Sequence, residues 1–139
     1  GSDFVTRKIT LGVSRIARGE ADKITLGNID ACRDWGFAGD YVKAMDLMLD
    51  HPTGGDWIVA TGQAYSVKDF LLMCLEEAGL DSAQWENYVE FDPRFMRPSE
   101  VPFLKGNPTK IKDELGWEAT MDLQGLVKTM MKADLGMVQ

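Results

Sequence analysis

The sequence has few of the residues that build metal and redox sites. Its 139 residues include one histidine, His51, and two cysteines, Cys32 and Cys74. The cysteines match neither a metal-ligand spacing nor a CxxC redox pair, and a single histidine excludes a histidine-based metal cluster. We therefore expect no metal site, a buried thiol at Cys74 and a surface side chain at His51.

Long apolar runs and positive net charge are also missing. No apolar run approaches the roughly 18 residues that a membrane span needs, and no signal peptide is visible. The formal net charge is −7, which disfavours binding to DNA or to anionic lipid. The sequence therefore predicts a soluble cytoplasmic protein with neither nucleic acid nor a membrane as its partner.

Several motifs of complete enzymes are absent from the sequence. There is no GxGxxG or GxxxxGK[ST] loop to hold the phosphates of a cofactor or nucleotide, and no GxSxG nucleophile motif. The three tyrosines, Tyr41, Tyr65 and Tyr88, are followed four residues later by Met, Asp and Asp, so the Tyr/Lys pair of short-chain dehydrogenases is missing. These absences argue against an enzyme that works by itself.

The sequence does contain alternating helix and strand patterns. Helical spacing of apolar residues, a capping box at Ser66 and Asp69, and short apolar runs between turn residues predict the elements. The predicted helices cover residues 4–18, 66–79, 107–116 and 123–137, and a further helix is capped by Asp40. The apolar face of the Asp40 helix contains Val42, Met45 and Leu49, and Leu126, Met130 and Ala133 are in line on the last helix. The predicted strands cover residues 23–26, 57–60 and 88–91.

This pattern favours one compact α/β domain over residues 1–139. The sequence shows no repeats, low-complexity tracts or linker. The strands are too few and too short for a complete doubly wound sheet. We therefore expect a small mixed α/β domain that accompanies a nucleotide-binding domain.

Arginine and lysine residues occur in three short stretches beside rigid backbone: 4–9, with Arg7 and Lys8 on a predicted helix, 26–35 and 92–100. Arg33 follows a predicted turn, and Arg97 and Glu100 flank Pro98 and Ser99. The planar guanidinium group can bind two diphosphate oxygens at once, and a carboxylate can accept both hydroxyls of a ribose. The alternative is that these residues form weak surface ion pairs, Arg33 with its neighbour Asp34 and Arg97 with Glu100.

The same stretches resemble segments of the GDP-mannose 4,6-dehydratases. The resembling segments are FVTRKIT at 4–10, LGNID at 26–30, RDWG at 33–36, IVATG at 58–62, DPRF at 92–95 and RPSEV at 97–101. They are collinear with the family pattern over nearly the whole chain, and the order is more specific than any single piece. Phe37 departs from the pattern, since the family usually has His there.

The resemblance implies an extended short-chain dehydrogenase/reductase, in which an NADP-binding Rossmann domain precedes a smaller sugar-nucleotide-binding domain. This chain resembles only the smaller domain and lacks the Rossmann half. The family converts GDP-mannose to GDP-4-keto-6-deoxymannose. Its catalytic Thr/Ser, Glu, Tyr and Lys have no counterpart here, so we expect no catalytic residues in this chain and no activity from it alone.

The resemblance also implies roles for individual residues. Arg33 and Arg97 would hold the diphosphate, Glu100 the ribose, and Val5 and Lys8 would lie near the phosphate and nucleoside. The guanine pocket would be lined by Leu26, Gly27 and Asn28. Arg7 would reach towards NADP, at a position tied to subunit packing.

The implied ligand is GDP-mannose or a related GDP-sugar. NADP is the cofactor of the full-length family, and we expect this chain alone to bind none. A homo-oligomer is expected, and a separate Rossmann-domain chain is another way to complete the enzyme. The alternative function is a stand-alone sugar-nucleotide-binding or oligomerising module without catalysis.

Overall fold

The computed structural model describes residues 2–96 and 102–136, with side chains from residue 5 onwards. Five α-helices and four short strands alternate within these ranges. In chain order they are α1 (Ser2–Ala17), β1 (Ile24–Leu26), β2 (Cys32–Arg33), α2 (Ala38–Leu49), β3 (Tyr65–Ser66), α3 (Val67–Glu77), β4 (Val89–Phe91), α4 (Thr109–Leu115) and α5 (Leu123–Leu135), with 3₁₀ segments at Ser82–Tyr88 and Pro93–Phe95. The expected mixed α/β class is confirmed.

The strands form two separate two-stranded sheets. β1 pairs with β4 in parallel, with Ile24 opposite Val89 and Leu26 opposite Phe91. β2 pairs with β3 in antiparallel orientation, and Phe103 adds a single bridge to Cys32. The parallel pair is central to the site, because loops that leave parallel strands in the same direction meet at one edge.

Helices α1, α3 and α5 pack together over the β1–β4 pair and enclose the larger core. The helical spacing that predicts α1 places Ile9 and Val13 in this core, where both are fully buried. The Ser66–Asp69 capping box is present at the start of α3. The core also contains Phe70, Leu71, Cys74, Leu75, Val127 and Met131, each no more than 1% exposed. Burial raises the pKa of the Cys74 thiol well above its ordinary value.

A smaller core lies between α2 and α4, and a buried carboxylate organises it. Ala44, Ile111 and Trp117 form its centre. The Asp40 carboxylate, 2% exposed, accepts hydrogen bonds from the backbone N–H and the hydroxyl of Thr120 at 3.0 and 2.6 Å. The Trp117 indole N–H donates to the Asp40 carbonyl at 2.8 Å. Asp40 therefore ties α2 to the segment between α4 and α5.

The prediction that Asp40 caps α2 is wrong. The helix begins at Ala38, Phe37 occupies the capping position, and Asp40 lies inside the first turn. The physical reason is the bonding to Thr120, which uses the carboxylate oxygens that a cap would need.

The apolar face of α2 is exposed in this chain. Val42, Met45 and Leu49 are 53%, 51% and 83% exposed. Asp40 and Ala44, one turn apart, turn towards the protein instead. Periodicity identifies the apolar face correctly but cannot show whether this chain covers it.

The strand predicted at 57–60 does not form. Trp57 and Val59 pack against the smaller core, while Ile58 between them is 58% exposed. No strand in the described ranges pairs with this segment. Its side chains alternate between buried and exposed as in a strand, but its backbone forms no inter-strand hydrogen bonds there.

Helix boundaries otherwise follow the turn chemistry. Gly116 adopts the left-handed conformation (φ 69°) that ends α4. The predicted cap, Asn107, accepts from the Thr109 N–H, but α4 begins at Thr109, one residue later than predicted, and Pro108 occupies the capping position. On α5, Leu126 is buried and Ala133 is exposed, and the helix ends at Leu135; Met137 lies outside the described residues. No helix in the described ranges is long and apolar enough to cross a membrane.

We expect Asp40→Ala to lower the free energy of unfolding by roughly 1.5–3 kcal/mol, because it leaves the Thr120 N–H and hydroxyl without their charged acceptor. Denaturant unfolding followed by circular dichroism measures the change. Asp46→Ala, at an exposed position of the same helix, is the matched control. Equal midpoints for the two variants would contradict the organising role of Asp40.

Candidate functional site

The carboxyl ends of β1 and β4 bring two distant loops into contact. The Asp92 N–H donates to the Leu26 carbonyl at 3.0 Å, which continues the parallel pairing. A Cβ atom at Gly27 would collide with the backbone carbonyl of Phe95. Only glycine permits this approach, so Gly27 fixes the 3₁₀ segment Pro93–Phe95 against the end of β1.

Asp92 and Arg94 fix the conformation of this 3₁₀ segment. The Asp92 carboxylate caps it by accepting from the Arg94 N–H at 2.9 Å, and Arg94 Nη2 donates to Asp92 Oδ2 at 2.6 Å. The bond from the Arg94 guanidinium holds the pKa of Asp92 below its ordinary value, and the same bond raises the pKa of Arg94.

A groove of about 740 Å³ lies beside this contact, between α1, β1 and β4. Four cations line it against two carboxylates, although the chain as a whole has a net charge of −7. The Lys8 ammonium lies 3.9 Å from the centre of the Phe95 ring at one side of the groove. The charged lining residues are Lys8, Arg15, Lys23 and Arg94, with Glu90 and Asp92.

Arg33 and Asp34 are neighbours, but their described contacts diverge. Arg33 Nη1 donates to the Cys32 carbonyl at 2.7 Å. The Asp34 carboxylate instead accepts from the N–H and hydroxyl of Thr61 at 3.0 and 2.6 Å and from the Gly62 N–H at 2.9 Å. Among the described residues no ion pair joins Arg33 to Asp34. The alternative interpretation, a surface ion pair between these two neighbours, therefore does not account for the position of Arg33.

The 26–28 turn divides its residues between the core and the surface. The Leu26 side chain is 2% exposed and belongs to the larger core, and its carbonyl is used by Asp92. The Asn28 side chain accepts from the Asp30 N–H at 2.9 Å and stabilises the turn. Gly27 and Asn28 are half-buried and therefore more accessible than the Leu26 side chain.

Arg7 and Lys8 are adjacent on α1 and serve different neighbours. Arg7 Nη1 donates to Oδ1 of Asp134, whose side chain is fully buried, and this ion pair links α1 to α5. The other oxygen, Oδ2, is buried and has no hydrogen-bond partner within the described part of the chain. Arg7 therefore has a structural role, and its expected contact with NADP stays a prediction. Val5 packs partly buried against the larger core.

Of the expected site residues, the structure brings Lys8 and Gly27 together through Phe95. Arg33 lies on β2 and does not line the groove. Arg97 and Glu100 lie outside the described residues.

The sequence patterns do not mark Phe95 or Arg15 as site residues, and they do not predict the contacts of Asp34. Arg15 is seven residues after Lys8, and this helical spacing puts both on one face of α1. The Asp-Pro-Arg sequence at 92–94 is typical of a capped turn and indicates that Phe95 is held rigidly. The bonds from Thr61 and Gly62 to Asp34 have no local signal, since they span 27 and 28 residues.

The described residues contain no group of three or more His, Cys, Asp or Glu side chains that could hold a metal ion. The Lys–Phe contact, the cationic groove and the fixed glycine turn are instead suited to a ligand that combines negative charge with an aromatic group.

Comparison with known proteins points to one family. Residues 1–130 match the family model described as GDP-mannose 4,6 dehydratase. GDP-mannose 4,6 dehydratase 1 of Arabidopsis thaliana is 48% identical over 135 residues, which is 97% of this chain and 37% of that protein. The human GDP-mannose 4,6 dehydratase is 37% identical, covering 100% of this chain and 41% of its own length. The chain thus spans less than half the length of these relatives.

Solved structures show a similar fold. RMD from Pseudomonas aeruginosa, complexed with NADPH, superposes with a TM-score of 0.82 at 20% identity, over 99% of this chain and 44% of that chain. A UDP-glucose 4-epimerase from Thermus thermophilus, complexed with NAD, gives 0.75 at 22% identity over 94% and 40%. At these identities the likeness shows the fold alone, which is part of the extended short-chain dehydrogenase/reductase fold.

We expect Arg94→Met to raise the titration midpoint of the Asp92 carboxyl. The Arg94 bond stabilises the charged carboxylate, so this stabilisation is present above the unfolded pKa and is lost as the pH falls through the lowered folded pKa. Carbon-detected NMR of the carboxyl group measures the midpoint. Lys105→Met, which removes another exposed cation, is the control, and an unchanged midpoint in Arg94→Met would contradict the assignment.

Proposed function

The chain belongs to the GDP-mannose 4,6-dehydratase family, and from this premise we propose that it is the sugar-nucleotide-binding part of such an enzyme. The observation that carries the proposal is the cationic groove beside the Gly27–Phe95 contact in an otherwise acidic chain. In the full-length enzyme the substrate would be GDP-mannose and the product GDP-4-keto-6-deoxymannose.

We propose that the positively charged residues bind the diphosphate of the ligand. Lys8 provides an exposed ammonium group with three donors, and Arg33 provides a guanidinium whose Nη1 is held at the Cys32 carbonyl. Both groups can form charge-assisted bonds to phosphate oxygens. The Gly27–Asn28 turn, with Val5 on the neighbouring helix, would contact the nucleoside.

We propose that Arg97 and Glu100 also belong to the site. They belong to the five residues between Met96 and Pro102. Met96 follows the turn held by Gly27, and the Pro102 carbonyl accepts from the Cys32 N–H at 2.8 Å. From the resemblance of RPSEV at 97–101 to the family segment, we propose that Arg97 contacts the diphosphate and Glu100 the ribose.

We propose that the N-termini of α2 to α5 are unsuited to the pyrophosphate of NADP, because their first turns already contain a capping side chain or a buried carboxylate. Such a group binds at a helix N-terminus whose N–H groups are available. Here Ser66 caps α3, Asn107 bonds to the first residue of α4, and Asp122 caps α5. The first turn of α2 contains the buried carboxylate of Asp40. We therefore propose that NADP is bound by the part of a full-length family member that lies outside this chain.

We expect Arg33→Ala to weaken the binding of GDP-mannose by about 10- to 150-fold, which corresponds to the loss of about 1.5–3 kcal/mol for bonds to a charged group. Isothermal titration calorimetry with the full chain measures this change. Lys128→Met, which removes a cation from α5, should leave the affinity unchanged. If the chain binds GDP-mannose and Arg33→Ala binds it equally well, the phosphate role of Arg33 is wrong.

One observation favours the second candidate function, an oligomerising module. Val42, Met45 and Leu49 recur at i, i+3 and i+7 and form an exposed apolar face on α2. The opposite face, with Asp40 and Ala44, is the buried one. An apolar helix face that the chain leaves uncovered is typical of an association surface. We propose that in the isolated chain a second copy covers it, in place of a separate Rossmann-domain chain.

We expect Met45→Glu to convert an oligomer into a monomer, because it places a charge in the centre of the apolar face. Size-exclusion chromatography with light scattering gives the mass of each species. Lys43→Glu changes the charge of the same helix away from this face and should leave the oligomer intact. A monodisperse monomer for the unmodified chain would refute the association proposal while leaving GDP-mannose binding open to its own test.

A further inference from the structure

The contact between Lys8 and Phe95 is not explained by hydrophobic burial. The Phe95 side chain is 46% exposed and belongs to neither core, and Lys8 lies on the exposed side of α1. The Lys8 ammonium lies 3.9 Å from the centre of the Phe95 ring. This distance is well inside the range in which the negative face of an aromatic ring attracts a cation.

Phe95 is attached to a rigid support behind the ring. Its N–H donates to the Asp92 carbonyl at 3.0 Å, and the Asp92 N–H donates to the Leu26 carbonyl at 3.0 Å. Its own carbonyl packs against Gly27. The backbone of Phe95, and with it the direction of its Cα–Cβ bond, is therefore held by the β1–β4 pair.

A lysine side chain, by contrast, has many rotamers and loses much freedom when it is fixed. A ring that holds the ammonium on one side restricts those rotamers before any ligand arrives. The ammonium group has three N–H donors, and the ring faces only one side of it. The donors on the other side can therefore still bind a ligand. Such prior ordering favours ligand binding.

From this geometry we propose that Phe95 is a positioning residue, which holds the Lys8 ammonium at the groove for a phosphate group of the ligand. The inference rests on the proposed function, because it takes Lys8 as the residue that contacts phosphate. Phe95 would act through Lys8 and through no bond of its own to the ligand. Replacement of the ring would thus affect binding only while Lys8 is present.

Nuclear magnetic resonance of the ligand-free chain tests the contact itself. The ring current of Phe95 should shift the ε-methylene protons of Lys8 upfield. Phe95→Leu, which keeps an apolar side chain but removes the ring, should return them to ordinary positions, and Phe95→Tyr should preserve the shift. Circular dichroism checks that each variant is folded.

A second cation–π pair, between Lys68 and Trp85, provides the control. Lys68 lies 4.9 Å from the centre of the Trp85 ring, outside the groove lining. Trp85→Leu should change the shifts of Lys68 and leave those of Lys8 unaltered. Lys8 protons that are insensitive to Phe95→Leu would overturn the proposal, whether or not any ligand binds.

A double-mutant cycle then tests the consequence for binding, with GDP as the probe in calorimetry. Phe95→Leu should weaken GDP binding about two- to fivefold, which corresponds to about 0.5–1 kcal/mol for an exposed cation–π contact. In a Lys8→Met background the same substitution should have no effect. An equal loss in both backgrounds would show that the ring contacts the ligand directly and would overturn the positioning role.

The two proposals fail in different ways. If Lys8→Met leaves the GDP affinity unchanged, or if the chain binds no GDP, Lys8 loses its role in the proposed function, and the positioning of its ammonium for phosphate falls with that role. If Lys8→Met weakens binding but Phe95→Leu does not, the phosphate role of Lys8 stands and only the positioning inference is wrong.

Discussion

The close approach of two backbones, Gly27 at the end of β1 and Phe95 after β4, is the constraint on which the candidate site depends. It is possible because Gly27 has no Cβ atom, which would otherwise meet the Phe95 carbonyl. The parallel pairing of β1 with β4 brings the two segments to the same edge. Through this contact the turn at 26–28, the groove and the Lys8 ammonium occupy one region.

The acidic residues of this chain contribute to its architecture as well as to its charge. Asp34 binds the backbone at Thr61 and Gly62, Asp40 binds Thr120, and Asp92 caps the turn that carries Phe95. Each carboxylate satisfies backbone N–H groups of segments outside the α-helices and strands. Loops thus become rigid supports, although the sheets have only two strands each.

Charge is distributed so that the acidic surface and the cationic groove are separate. A net charge of −7 disfavours polyanions in general. Four cations against two carboxylates reverse the sign inside one concave region. This concave region is therefore more favourable to an anion than the chain as a whole.

Much of the fold was predictable from local patterns. The helices α1 and α3, the strands β1 and β4 and the glycine that ends α4 follow from periodicity and capping chemistry. Where prediction failed, a distant partner decided the outcome. Asp40 is buried against Thr120 rather than capping α2, and residues 57–60 pack without a neighbouring strand.

The sequence by itself determined the family segments, the absence of a phosphate-binding glycine loop, and the candidate residues Lys8, Gly27 and Arg33. Only the tertiary structure decided that Phe95 faces Lys8, that Asp34 binds Thr61, and that the apolar face of α2 is exposed. The physical reason is range. Turn and helix preferences act over a few residues, whereas these contacts join segments separated by 27 to 87 positions, whose pairing depends on the packing of the whole chain.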